Sequence, residues 1–157
     1  MRVQIAIPEH SHFTYQMTVS KQHENSGGHL AHDKVVTIIG DCRDAWFASM
    51  GFPGCRVGEI GIVNTDLMLM YIAEGFHDDQ LNVSLVLADL NKYGGDMLLR
   101  AVRQQDGQEL FRAKSGFVFY DYRIRKVVYR PAEFDSQAGI IDGAVAATAG
   151  ANSHTPQ

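Results

Sequence analysis

The stretch His32–Met50, HDKVVTIIGDCRDAWFASM, decides the fold. Val35, Ile38, Ile39, Cys42, Ala45, Trp46 and Met50 recur at helical spacing, while Lys34, Asp41, Arg43 and Asp44 fill the opposite face. That pattern predicts one long amphipathic helix. Asp33 stands at the N-cap or in the first turn, where a carboxylate complements the helix dipole. Gly51 and then Pro53 end the helix.

Upstream, Phe13, Tyr15, Met17 and Val19 alternate with Thr14, Gln16, Thr18 and Ser20, which predicts a half-buried strand. A polar loop, KQHENSGG (21–28), joins that strand to the helix. Downstream, after the connection FPGCRVGEIG (52–61), the pattern turns to strands: 62–73, 81–90, 96–104 and 110–122. Asp106-Gly107 between the last two predicts a hairpin. A short segment, 126–129, extends the sheet edge. From Gln137 the sequence QAGIIDGAVAATAGANSHTPQ has no amphipathic period and is expected to be a mobile tail, leaving 1–136 as a single domain.

One helix cannot cover both faces of such a sheet. The order therefore predicts an α+β chain in which a curled antiparallel sheet of about five strands wraps one long central helix. This is the hotdog arrangement. A bare sheet edge invites pairing with a second copy, so a homodimer or a dimer of dimers (a homotetramer) is expected.

The apolar fraction of 45% suits a packed core, and the charged fraction of 20% is ordinary. Fourteen Lys and Arg against 18 Asp and Glu give a net charge of −4, which argues against a nucleic-acid partner. No run is long enough to span a membrane, and the N-terminus, MRVQIAIPEHSHF, lacks the apolar core of a signal peptide. Cys42 and Cys55 have no metal-ligand spacing and are read as free thiols in the cytoplasm.

Three stretches carry a family resemblance. NSGGHLAHDKVV (25–36) and the following helix resemble the glycine-histidine loop and central helix of the hydroxybenzoyl-CoA thioesterase group. YIAEGFHDDQLNVSLVLADLNKYGGDMLLRAV (71–102) is similar to its second and third strands, with an aromatic-Xaa-Asp turn at Phe76, His77 and Asp78. ELFRAKSGFVFYDYRIRKVVYRP (109–131) is similar to its last long strand and the segment after it. The resemblance covers about residues 13–134. It implies hydrolysis of an acyl-CoA or acyl-carrier thioester without a metal or other cofactor, coenzyme A being part of the substrate. It also implies a site at the dimer interface near the helix start, where backbone N–H groups receive the thioester oxygen and a carboxylate acts as general base or nucleophile.

Many members carry Asp-Xaa-Asp-Xaa-Xaa-Gly-His in that loop. Aligned on Gly28-His29, the two Asp positions are His23 and Asn25 here, and the Asn-Asn pair that often follows is Ala31-His32. This chain resembles a divergent branch in which His23, Asn25, His29 and Asp33 are the catalytic candidates. His23 titrates near neutral pH and suits a general base; Asn25 suits holding water or the thioester oxygen; Gly28 and His29 open the helix where free N–H groups favour an oxyanion. The plain alternatives are a solvated loop with an Asn25 turn for the first two, a sharp turn for Gly28, helix-start packing for His29, and dipole complementation for Asp33. Glu24 is the remaining loop carboxylate and points away from its neighbours if the loop is extended.

Arg123, Arg125 and Lys126 form the tightest basic cluster and suit coenzyme A phosphates, with solvated edge charges as the alternative. His23, His29 and His32 match no known metal spacing. Two functions remain open: a thioesterase, and a non-catalytic acyl-thioester-binding hotdog protein, which the missing loop Asp favours. A hydratase motif is absent.

Overall fold

The computed structural model describes residues 1–145 and 152–154. β1 (Phe13–Thr18) leads through the polar loop into α1 (His32–Ser49). Four long strands follow: β2 (Ile60–Tyr71), β3 (Gln80–Asn91), β4 (Gly94–Arg103) and β5 (Glu109–Asp121). β6 (Lys126–Val127) folds back on β5, and then come α2 (Ala132–Ala138), β7 (Ile140–Ile141), β8 (Ala144–Val145) and β9 (Asn152–His154). The main sheet runs β2-β5-β4-β3-β1-β9, with β6 beside β5, and β7 and β8 form a separate pair.

The sheet is the predicted curled one, antiparallel through β2, β5, β4, β3 and β1, with β6 added beside β5 and β9 added parallel to β1. Its inward side chains alternate along each strand: Leu81, Val83, Leu85 and Leu87 on β3, Met97, Leu99 and Ala101 on β4, and Phe111, Ala113, Phe117 and Phe119 on β5. They share one core with Val35, Ile38, Ile39, Cys42, Trp46 and Phe47 of α1. Cys42 Sγ lies 3.8 Å from the Val83 carbonyl, which places the middle of the helix against β3. Full burial of each large apolar side chain contributes about 1.5–3 kcal/mol. Gly51, at φ +89, stops the helix; its N–H donates to Ala48 O, and Phe52 N–H donates to Phe47 O. These two bonds make a Schellman cap.

Two features go beyond the predicted elements. The expected domain boundary at Gln137 falls inside α2, and Phe134, Ala138 and Ile140 are buried in the core. Residues 146–151 and 155–157 of the expected tail lie outside the described residues. The chain before β1 crosses the outer face of the sheet. Ile5 is buried, and Arg112 and Arg100 donate to the carbonyls of Ile5 and Ile7. His12 carries the β1–β3 ladder one step further: its N–H donates to Leu85 O, and its Nδ1 accepts from Leu87 N–H at 2.8 Å.

Among the described residues β2 pairs only with β5, and its other edge is unpaired by any strand. Along it Val63, Leu67, Met68, Tyr71 and the adjoining Ile72 are exposed. No helix among the described residues is long and apolar enough to cross a membrane.

Candidate active site

The loop between β1 and α1 is closed by its own hydrogen bonds. Asn25 N–H donates to His29 O at 2.8 Å, and Gly28 N–H donates to Asn25 O at 3.1 Å. The Asn25 side-chain oxygen accepts from Gly27 N–H at 2.9 Å and His29 N–H at 3.2 Å. Gly28 sits at φ +79, a conformation that costs other residues strain. Ala31 N–H donates to His23 O, which ties the two ends together, and Leu30 N–H donates to Gly75 O, which staples the loop to the β2–β3 connection.

His23 is buried beneath this loop, 6% exposed. Its Nδ1 accepts from Ser20 N–H at 3.0 Å and lies 3.1 Å from Ser20 Oγ. Burial pushes its pKa down, only partly opposed by the Asp41 carboxylate. The neutral ring therefore carries its proton on Nε2. Asp41 and Tyr15 are both pushed up by burial. Glu24 accepts from His77 Nδ1 at 2.8 Å, and Asp78 lies 3.3 Å from His77 Nε2. The bond to Glu24, followed by the charge of Asp78, raises His77 above its ordinary value.

Above the loop, α1 begins with Ala31 as its N-cap and no side-chain cap. Lys34 N–H donates to Ala31 O, while the N–H groups of His32 and Asp33 have no acceptor among the described residues. Asp33 is exposed in the first turn. Beside this helix start opens a pocket of about 340 Å³, largely apolar, with Leu30, Val35, Ile72 and Phe111 in its wall and His32, Tyr71 and Glu74 at its polar side. Tyr71 OH donates to His32 O at 3.0 Å and bridges β2 to the helix. A second hollow of about 280 Å³ continues along the groove between α1 and β2, past Val36, Ile39, Gly40 and Leu67.

The structure thus places Leu30, His32 and Val35 in the pocket wall, with His29 next to it through Glu74, 3.6 Å away, and Gly28, Asn25 and His23 in the adjoining loop as fasteners. Arg123, Arg125 and Lys126 lie elsewhere, in and just after the β5–β6 turn. Arg123 is paired with Asp121 through two bonds, at 3.2 and 3.0 Å. Glu74, His77 and Tyr71 were not singled out as site residues; the Phe76-His77-Asp78 turn was the signal that this connection approaches the site. Cys42 and Cys55 are free and buried, and burial pushes both thiols up, Cys55 to about 12, so neither is a thiolate at neutral pH. No group of three or more His, Cys, Asp or Glu side chains that would hold a metal occurs among the described residues.

A curled sheet wrapped around one long helix, with an apolar pocket beside the helix start, is the hotdog arrangement. The sequence profile of the thioesterase-like superfamily matches residues 19–138, and the chain belongs to that superfamily. Solved structures share the fold. A 1,4-dihydroxy-2-naphthoyl-CoA thioesterase from Synechocystis superposes with a TM-score of 0.73 at 18% identity, covering 83% of this chain and 96% of that one. A gentisyl-coenzyme A thioesterase gives 0.69 at 13% identity, covering 77% and 98%. A Staphylococcus aureus protein solved in complex with CoA gives 0.75 at 16%, covering 92% of each chain. No curated protein matches in sequence.

Proposed function

We propose that this protein hydrolyses acyl-CoA thioesters at the mouth of the pocket beside the start of α1, in a homodimer built on β2. The observation that carries this reading is the start of α1, where the His32 and Asp33 N–H groups have no acceptor among the described residues and His32 stands in the wall of an apolar pocket. A thioester oxygen seated there gains hydrogen bonds that strengthen as negative charge develops on it. The acyl chain enters the apolar wall, and the groove along β2 leads away from it. The step as read calls for no cofactor beyond the coenzyme A of the substrate; an acyl-carrier thioester offers the same reacting group.

Within the site, His29 borders the reacting centre and Gly28 sets the turn that presents it. Asn25 and His23 act by holding the loop, Asn25 through its two accepted N–H bonds and His23 through Ser20 and Ala31. Asp33 adds first-turn charge.

The basic cluster fits the same reading only across a dimer. Ile60 pairs with Asp121 and Tyr71 with Phe111, so the β5–β6 turn and the helix start lie at opposite ends of β2. The 12 residues of β2 span about 35–40 Å at ~3.3 Å each. An antiparallel two-fold contact between β2 edges brings the β5–β6 turn of the partner subunit to this chain's helix start. Arg125 and Lys126 are exposed, with no ion pair among the described residues, and suit phosphate groups there.

The experiment is a panel of aliphatic and aromatic acyl-CoA substrates with detection of released thiol. Turnover of any member supports hydrolysis. Binding of acyl-CoA without thiol release supports the second reading, a non-catalytic acyl-thioester-binding protein. One observation favours that reading: the positions where relatives of this motif carry carboxylates hold His23 and Asn25, whose Nδ1 and Oδ1 acceptors are already engaged.

A further inference from the structure

We propose that Glu74, oriented by His29, is the general base that activates water, a proposal that rests on the thioesterase reading of the site. The two loop positions cannot supply this group in the geometry observed. Neutral His23 accepts a backbone N–H at Nδ1 and so holds its proton on Nε2, leaving no free basic nitrogen. Asn25 has no basic atom. Glu24 is drawn into its pair with His77, its side chain only 13% exposed.

Among the described residues, Glu74 is the one carboxylate in the lining of the helix-start pocket. Its backbone is fixed from both sides. The Glu74 carbonyl accepts from Arg103 Nη1 at 3.1 Å, and Arg103 is itself held by Asp79 and Asp106, each at 3.0 Å. The next residue, Gly75, accepts the Leu30 N–H and packs so closely that a Cβ there would lie 3.1 Å from Leu30 and 3.3 Å from Leu110. The connection that carries Glu74 is therefore locked to the loop that opens the helix.

A second observation points at the same carboxylate. His29 Nδ1 is buried and has no hydrogen-bond partner, and the atom it faces is Glu74 Oε2, 3.6 Å away. The ring is steadied by Phe76, 5.1 Å between centroids. A buried polar atom without a partner is unfavourable, so a small rotation of the exposed Glu74 side chain that closes this gap, with the proton on Nδ1, is favoured. It leaves the second carboxylate oxygen turned to the pocket. His29 is a positioning residue; Glu74 is the group that meets the water.

The chemistry then balances without any further reactant. Glu74 takes a proton from water as the water oxygen forms a bond to the thioester carbon. The carbonyl oxygen becomes an oxyanion between the His32 and Asp33 N–H groups. The intermediate collapses, the C–S bond breaks with its electron pair going to sulfur, and the thiolate recovers the proton from Glu74.

The test is steady-state kinetics of Glu74→Gln, Glu74→Asp, His29→Ala and His29→Asn on the best substrate of the panel, with CoA affinity and thermal melting measured on each. Glu74→Gln is expected to lower kcat by about a hundredfold to ten-thousandfold with KM, CoA affinity and melting little changed. Glu74→Asp should recover part of kcat. His29→Ala should cost about tenfold in kcat, and His29→Asn, whose amide N–H replaces Nδ1–H, should recover much of it. A Glu74→Gln enzyme within about threefold of wild-type kcat overturns the assignment and leaves the thioesterase reading standing. Loss of CoA affinity or of melting temperature in Glu74→Gln, with Glu74→Asp no better, makes Glu74 a loop fastener and also overturns it. A wild-type protein that releases thiol from no substrate overturns the thioesterase reading and the Glu74 assignment together.

Discussion

At the scale of single residues, the loop before α1 shows how one side chain can replace chemistry with architecture. The Asn25 amide oxygen accepts two backbone N–H groups, so Asn25→Ala releases both at once. Turnover should fall by about a hundredfold through misplacement of the helix start, while the melting temperature changes little; an unchanged kcat would show that the loop needs no such fastening. Asp33→Asn, by contrast, removes only a first-turn charge, and a loss of about 0.3–1 kcal/mol in stability is expected, with a minor effect on rate. Acid should act through buried histidines. Burial lowers both His12, assisted by neighbouring His10, and His23 below the ordinary 6.5. The unfolded chain then takes up protons before the folded one does, so stability falls as the pH drops from about 7 to about 5. His77, raised by Glu24, has the opposite sign and adds stability on the acid side that is lost as the pH rises through its folded value. Melting curves across this range should slope upward with pH, and His12→Gln should flatten the slope. A flat wild-type profile would show that these rings gain no protons on unfolding.

At the scale of elements, the core is where packing decides. Phe134 of α2 is fully buried and stacks on Phe47 at 5.5 Å, with Trp46, Phe117 and Phe119 edge-on around it. Phe134→Ala should cost about 3–5 kcal/mol, read by denaturant unfolding; a cost under about 1 kcal/mol would mean that α2 is not part of the folding unit. This element also marks the limit of what the sequence made legible. α1 and the long strands were readable because each repeats an apolar period over many residues, and Asp106-Gly107 announced its own hairpin. α2 is seven residues long and offers a single large apolar side chain, Phe134, too few to set a period. The outer-face strap was equally hidden, since its anchors are the carbonyls of Ile5 and Ile7, which any residue possesses. The helix-start pocket was legible from Gly28-His29. Glu74 was not, because it lies 45 residues downstream of His29 and meets it only through the β2–β3 connection.

At the scale of the whole molecule, the second edge of β2, which pairs with no strand among the described residues, suits a second copy of the chain. The strand is 12 residues long, and the exposed side chains along it include Val63, Leu67, Met68 and Tyr71. An apolar edge of this length left in water is an invitation to uncontrolled pairing, and a two-fold contact with a second copy closes it. On the proposed reading the same contact would complete two half-sites, by bringing the partner's β5–β6 turn from the far end of the sheet to the helix start. Assembly and activity should therefore fail together. Light scattering should give twice the 17.4 kDa chain mass, or four times it. Met68 faces away from the central helix, opposite Lys114 on β5, so replacing it leaves the pocket wall intact. Met68→Glu faces Lys114 with an opposite charge inside the chain but sets a negative charge on each edge where the two strands meet, and like charges in close cross-strand register are destabilising. The variant is expected to shift toward 17.4 kDa at micromolar concentration, and its kcat/KM for acyl-CoA should fall in proportion to the dimer lost, with activity returning as protein concentration rises. A fully active Met68→Glu monomer would mean that each chain carries a complete site, and the role given to Arg125 and Lys126 of the partner subunit would fall with it.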